Sequence, residues 1–131
     1  MATMTISLTM AGGAALLHLW HFARCVIVRG KAKILHGDGG NALMAHRMRA
    51  HANFIENTPL FLILLALVEY HAGASPWLWA AGYIFLLARI AHGIGMDKEK
   101  ENLPRAAGML LTILPLFALA AVALWMAVMV R

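Results

Sequence analysis

The stretch RAHANFIENTPLFLILLALVEY (residues 49–70) joins the polar residues Arg49, His51, Asn53 and Glu56 to a long apolar run. Arg49, Asn53 and Glu56 share one face of an α-helix, because residues three or four positions apart lie side by side. The apolar run that follows suits only a protein core or a lipid bilayer. Ionisable groups at membrane depth are costly and therefore indicate a functional site. This helix face is predicted to bind a polar ligand.

The composition is that of a membrane protein. Of the 131 residues, 62% are hydrophobic and only 13% are charged, whereas soluble domains carry roughly 25% charged residues. A spanning helix needs about 20 largely apolar residues, and the chain contains four such segments. We therefore predict an all-α, integral membrane four-helix bundle that forms one domain over residues 1–131. The helices are expected at about residues 5–28, 42–70, 77–96 and 104–130.

The net charge of +5 is distributed unevenly along the chain. Lys and Arg are concentrated between helices 1 and 2 and between helices 3 and 4, whereas residues 70–76 contain neither. By the positive-inside rule, the two basic connections face the cytoplasm and both termini lie outside. Membrane topology thus explains the basic charge, and no nucleic-acid partner is expected.

Several other features are interpreted as structural. Cys25 is the single cysteine, so it cannot form an intrachain disulfide and is expected to be a buried, inert thiol. The sequence GDGG at residues 37–40 predicts a turn, and it lacks the Lys-Ser/Thr ending of a phosphate-binding loop. Asn41 is a candidate N-cap of helix 2. The charged segment 97–102 is interpreted as a solvated link. The histidine spacing does not predict a metal site.

Helices 3 and 4 contribute further candidates near the same end of the bundle. Arg89 and His92 lie on one face of helix 3, and Arg105 lies at the start of helix 4. Two structural alternatives remain open for these charges. An Arg–Glu pair could simply hold helices together, and Arg89 could pair with Glu56 or extend its guanidinium toward the interface.

These residues resemble the membrane-associated proteins in eicosanoid and glutathione metabolism (the MAPEG family), which include microsomal glutathione transferases. The helix-2 signature R-A-H-x-N-x-x-E-x-x-P is present at residues 49–59. The similarity extends to Ala-Arg-Ile-Ala-His at residues 88–92 and to Arg105-x-x-Gly108. The turn at residues 37–40 is similar to that of small bacterial members. The resemblance covers nearly the whole chain.

The resemblance implies a homotrimer that binds glutathione between subunits near the cytoplasmic side of a bacterial inner membrane. The residues that it assigns to glutathione binding are Arg29, Arg49, His51, Asn53, Glu56, Arg89 and His92. Arg29 and His51 would reach the tripeptide from the adjacent subunit, and Arg105 would lie beside the thiol as the catalytic residue. The implied reactions are conjugation of glutathione to a lipophilic electrophile that enters from the membrane lipids, and reduction of a lipid hydroperoxide.

Departures from the family pattern keep other functions open. Asn57 and Met96 occupy positions where several members have tyrosines that hold glutathione, which predicts weaker binding or a different thiol. Ala106 replaces the serine of the prostaglandin-synthase branch, so a specialised prostaglandin isomerase is not expected. The alternatives are a non-catalytic membrane protein that binds lipid or glutathione and, in a different class, a small proton-coupled multidrug transporter that uses Glu56.

Overall fold

The computed structural model describes residues 3–129, which form four α-helices and no other regular elements. The helices are α1 (Thr5–Ala32), α2 (Ala42–Ala72), α3 (Pro76–Gly95) and α4 (Leu103–Met129). The prediction of an all-α, four-helix fold is confirmed. Helix α1 continues past its predicted end near residue 28, and the predicted end of helix 4 at residue 130 lies outside the described residues.

The four helices form a bundle in which α1 and α4 lie at opposite corners. Helix α1 packs on α2 and α3, and α4 packs on the same two helices, with its most extensive contact on α3. Within the described residues, α1 and α4 do not contact each other. Phe61 of α2 stacks on Phe85 of α3 across the centre, with ring centroids 3.8 Å apart. This core fixes the relative positions of the helices that carry the candidate site.

All four helices are long and apolar enough to cross a membrane. Many large apolar side chains face outward, including Leu16, Phe117 and Leu124, each more than two-thirds exposed. Outward-facing apolar side chains are stable in lipid but not in water. The protein is therefore an integral, multi-pass membrane protein. Helix α2 has 31 residues and a length of about 46 Å, which exceeds the roughly 30 Å of a hydrocarbon core.

The two ends of the bundle are held by side chains that satisfy free backbone groups at helix termini. The Oδ1 atom of Asn41 accepts a hydrogen bond from the N–H of Met44 at 2.9 Å, so Asn41 is the N-cap of α2 as predicted. At the opposite end, the buried carboxylate of Glu69 accepts hydrogen bonds from the backbone N–H groups of Ile6 and Ser7 and from the Ser7 hydroxyl. Glu69 thereby joins the end of α2 to the start of α1.

Candidate functional site

A cavity of about 310 Å³, lined by both charged and apolar side chains, opens at the end of the bundle where α2 and α4 begin and α3 ends. Among the predicted site residues, it brings together Arg49, Asn53, His92 and Arg105. The complete lining is Arg49, Asn53, His92, Met96, Glu101, Asn102, Arg105, Ala106 and Met109. Two guanidinium groups from different helices therefore meet at one cavity, together with one amide from α2.

Arg49, Asn53 and Glu56 lie along one face of α2, as their spacing predicted. The Nη1 atom of Arg49 lies 3.3 Å from Oε1 of Glu56, and the two groups form an ion pair. Their side chains are 65% and 53% exposed in the single chain. Glu56 does not line the cavity itself, but its pairing partner Arg49 does. If this part of α2 lies within the hydrocarbon core, an exposed ion pair there would be costly without a polar neighbour.

Arg89 is the largest fully buried side chain in the described part of the molecule, with 1% of its surface exposed. Its Nη1 atom donates a hydrogen bond to Oδ1 of Asn53 at 2.6 Å, and Nη2 lies 3.5 Å from the carbonyl oxygen of Gly108. The Nε atom has no hydrogen-bond partner among residues 3–129. Arg89 does not pair with Glu56, and it lies behind the cavity wall rather than in its lining.

The close approach of α3 and α4 depends on glycine. A Cβ atom added at Gly108 would lie 2.6 Å from the backbone nitrogen of His92 and 2.7 Å from the carbonyl oxygen of Ala88. Neither backbone atom can move without separating the helices. Gly108 therefore allows α4 to lie directly against the turn of α3 that carries Arg89 and His92.

Asn102 positions Arg105 at the cavity. Its Oδ1 atom accepts a hydrogen bond from the backbone N–H of Arg105 at 3.1 Å. Its Nδ2 atom donates to the carbonyl oxygens of Gly95 at 2.8 Å and Lys100 at 3.0 Å. The end of α3 and the start of α4 are thus joined by one amide, which fixes Arg105 in the first turn of α4.

The interpretation of residues 97–102 as a solvated link is wrong for Asp97 as well as for Asn102. Arg47 binds the Asp97 carboxylate through two atoms, at 3.1 Å and 3.2 Å, and Arg24 donates to the same carboxylate at 2.5 Å. Burial of Asp97 tends to raise its pKa, but the hydrogen bonds from Arg47 and Arg24 outweigh that effect and hold the pKa below its ordinary value. The sequence signal that could have predicted this cluster was Arg24, the one charged residue within residues 5–28.

Two residues expected to reach glutathione from an adjacent subunit lie away from the cavity of their own chain. The Nε2 atom of His51 lies 3.1 Å from Nδ1 of His18, and the His51 ring stacks on that of His21 with centroids 5.7 Å apart. Arg29 donates to the carbonyl oxygen of Leu35 at 3.2 Å. Within residues 3–129, no group of three or more His, Cys, Asp or Glu side chains is arranged to hold a metal ion.

Asn57 and Met96, the two residues that the family resemblance aligns with tyrosines, differ in their location. Met96 lines the cavity and is almost completely buried. The Asn57 side chain donates to the carbonyl oxygen of Asn53 on the preceding turn, at 2.8 Å. The thioether of Met96 offers no hydrogen-bond donor to the cavity wall.

The cavity offers two guanidinium groups, two side-chain amides and the carboxylate of Glu101 at one end of a membrane-spanning bundle. Guanidinium groups bind carboxylates strongly, so the arrangement suits an anionic ligand. The fold defines a polytopic membrane protein, and the cavity at one end of its helices is a candidate site for an anionic ligand.

The chain belongs to the MAPEG family, whose sequence profile matches residues 7–125. It is 28% identical over 101 residues to the inner membrane protein YecN of Escherichia coli strain K12, an alignment that covers 76% of each chain. The protein of the same name from Escherichia coli O6:H1 matches with the same identity and coverage.

Proposed function

We propose that the protein is a glutathione-dependent membrane transferase with peroxidase activity toward lipid hydroperoxides. The observation that carries this proposal is the convergence of Arg49, Asn53 and Arg105 on one cavity. Glutathione has two carboxylates and one ammonium group, which these guanidinium groups and a nearby carboxylate complement. Membership of the MAPEG family, which includes glutathione transferases, supports the same ligand.

Arg105 is the proposed catalytic residue. A guanidinium beside a thiol lowers the thiol pKa, because it stabilises the thiolate. A shift of about 2 units from a free-thiol pKa near 8.5 would make most of the bound thiol ionised at neutral pH, and corresponds to roughly 2.7 kcal/mol. In the transferase reaction, the thiolate sulfur forms a bond to an electrophilic carbon and the leaving group departs with the electron pair.

In the peroxidase reaction, the thiolate attacks the terminal oxygen of the hydroperoxide. The O–O bond breaks, and the alkoxide takes a proton to become an alcohol while the sulfur becomes a sulfenic acid. A second glutathione then displaces water and forms the disulfide. The apolar co-substrate would reach the cavity from the bilayer, because the lipid-facing surfaces of the helices are exposed to it.

We further propose that the protein is a homotrimer with glutathione at the subunit interfaces. The exposed ion pair of Arg49 and Glu56 supports this assembly, because a neighbouring copy would cover it from lipid. Arg29 and His51, which lie away from the cavity of their own chain, would then approach the cavity of the neighbour. We also propose that the cavity faces the cytoplasm of a bacterial inner membrane, with both termini outside.

The test is glutathione binding by the purified protein in detergent, measured by calorimetry beside Arg49→Ala. Lys98→Ala is the matched control, because Lys98 is an exposed basic residue that does not line the cavity. Loss of affinity in Arg49→Ala but not in Lys98→Ala is the expected result. Absence of binding by the wild type would contradict the proposal and favour the transporter that uses Glu56.

Conjugation of glutathione to a hydrophobic aryl halide is then measured on the same samples. Product formation is expected for the wild type and for Lys98→Ala. Binding of glutathione without conjugation of this electrophile or reduction of a lipid hydroperoxide would instead identify a non-catalytic binding protein.

A further inference from the structure

We propose that Arg89 is a positioning residue that acts on the ligand through Asn53. This inference rests on the proposed function and concerns the same cavity. Arg89 does not line the cavity, whereas Asn53 does. The connection between them is the 2.6 Å hydrogen bond from Nη1 of Arg89 to Oδ1 of Asn53.

The hydrogen bond determines which way the Asn53 amide points. A guanidinium carries only donors, so the amide atom that faces Arg89 must be the carbonyl oxygen. The Nδ2 group of Asn53 then lies on the side of the amide opposite the oxygen that faces Arg89. Asn53 therefore presents N–H donors to the cavity that it lines.

A donor at this position selects an acceptor on the ligand. Carboxylate and peptide carbonyl oxygens are acceptors, and both are present in glutathione. If the amide rotated, its oxygen would face the ligand oxygen, and the two acceptors would repel each other. Arg89 prevents that rotation and so makes Asn53 a donor at all times.

The burial of Arg89 argues against a merely structural ion pair. The side chain is 1% exposed, and no carboxylate lies within ion-pair distance of it in the described part of the chain. A buried charge without a counterion is expensive, and apolar replacements of such groups are often tolerated or stabilising. The hydrogen bond to Asn53 gives this costly buried charge a role at the cavity.

The experiment is a double-mutant cycle on glutathione affinity, with Arg89→Met, Asn53→Ala and the two changes combined. Each single change is expected to weaken binding roughly tenfold or more, the effect of one hydrogen bond to a charged group. Because Arg89 acts through Asn53, Arg89→Met should have no further effect in the Asn53→Ala background. Arg89→Lys keeps one donor for the amide oxygen and should bind with intermediate affinity.

Asn53→Asp provides a second readout that does not depend on folding of the Arg89 variant. A carboxylate at position 53 gives Arg89 a counterion but has no N–H group for the ligand. We expect thermal unfolding at a higher temperature together with weaker glutathione binding. Unchanged binding in Asn53→Asp would show that the N–H donors of Asn53 are not used and would overturn the inference.

The outcomes separate this inference from the function on which it rests. Wild-type binding with additive effects of Arg89→Met and Asn53→Ala would overturn the positioning role and leave the glutathione-dependent function intact. No wild-type binding of glutathione would overturn both. Full affinity in Arg89→Met would also overturn the positioning role, whatever the change in thermal stability.

Discussion

Arg47 binds the carboxylate of Asp97 side-on, with Nε 3.2 Å from Oδ1 and Nη2 3.1 Å from Oδ2. Arg24 contacts the same carboxylate, so a residue just beyond the end of α3 joins α1 and α2. The Nη1 atom of Arg47 also donates to the carbonyl oxygen of Arg24 at 3.0 Å. Asp97 thus fixes the end of the bundle next to the cavity.

Replacement of Asp97 by Asn should destabilise the protein by about 1–3 kcal/mol, because two largely buried guanidinium groups lose their counterion. Thermal unfolding in detergent measures the change. Glu99→Gln is the control, because Glu99 is exposed and forms no ion pair among the described residues. Equal unfolding temperatures for the two variants would contradict the assigned role of Asp97.

The ion-pair cluster of Asp97 with Arg24 and Arg47 should make the free energy of unfolding depend on pH. The folded-state pKa of Asp97 lies below its ordinary value of 3.8, so the cluster contributes its full stability above that value. The contribution is lost as the pH falls through the folded-state pKa, because the protonated carboxyl no longer pairs with Arg24 and Arg47. The difference in unfolding temperature between wild type and Asp97→Asn should therefore shrink with acidification. A difference that stays constant would mean that Asp97 does not titrate in this way.

Gly108→Ala should destabilise the protein by about 1–3 kcal/mol through overpacking. The added methyl group would lie 2.6 Å from the backbone nitrogen of His92 and force α3 and α4 apart. Gly12→Ala is the matched control, since outside the adjacent backbone of its own helix nothing lies within 4 Å of its added methyl group. It should be neutral or slightly stabilising. Similar unfolding temperatures for both variants would be inconsistent with the close helix contact.

Met96→Tyr should strengthen glutathione binding about threefold to tenfold, the effect of one added hydrogen bond of roughly 1 kcal/mol. Met96 lines the cavity, and a tyrosine there would supply a hydroxyl donor that methionine lacks. Met96→Phe adds the ring without the hydroxyl and is the control. The affinities come from calorimetry, and an equal gain in both variants would assign the effect to the ring.

The sequence predicted the parts of the site that depend on one helix. Arg49, Asn53 and Glu56 could be placed on one face of α2 from their spacing alone, and Asn41 could be identified as the N-cap. Arg105 was predicted as a site residue only from the family resemblance, because its approach to the other residues depends on how α4 packs.

The contacts that sequence reasoning missed join residues far apart in the chain. Asp97 contacts Arg24, Arg89 contacts Asn53, and Glu69 contacts the start of α1. Helical periodicity gives the face on which each charge lies but not which helix packs against that face. The sequence did indicate that these residues need polar partners, since Arg24, Glu69 and Arg89 are each flanked by apolar residues.

The most direct test of the central claim is the state of the thiol in bound glutathione. Glutathione is titrated into the protein in detergent near neutral pH while thiolate ultraviolet absorbance is recorded for wild type, Arg105→Ala and the control Lys98→Ala. A thiolate signal is expected for the wild type and for Lys98→Ala, and its loss is expected in Arg105→Ala despite continued binding. An undiminished thiolate signal in Arg105→Ala, or binding by the wild type without any thiolate, would contradict the central claim.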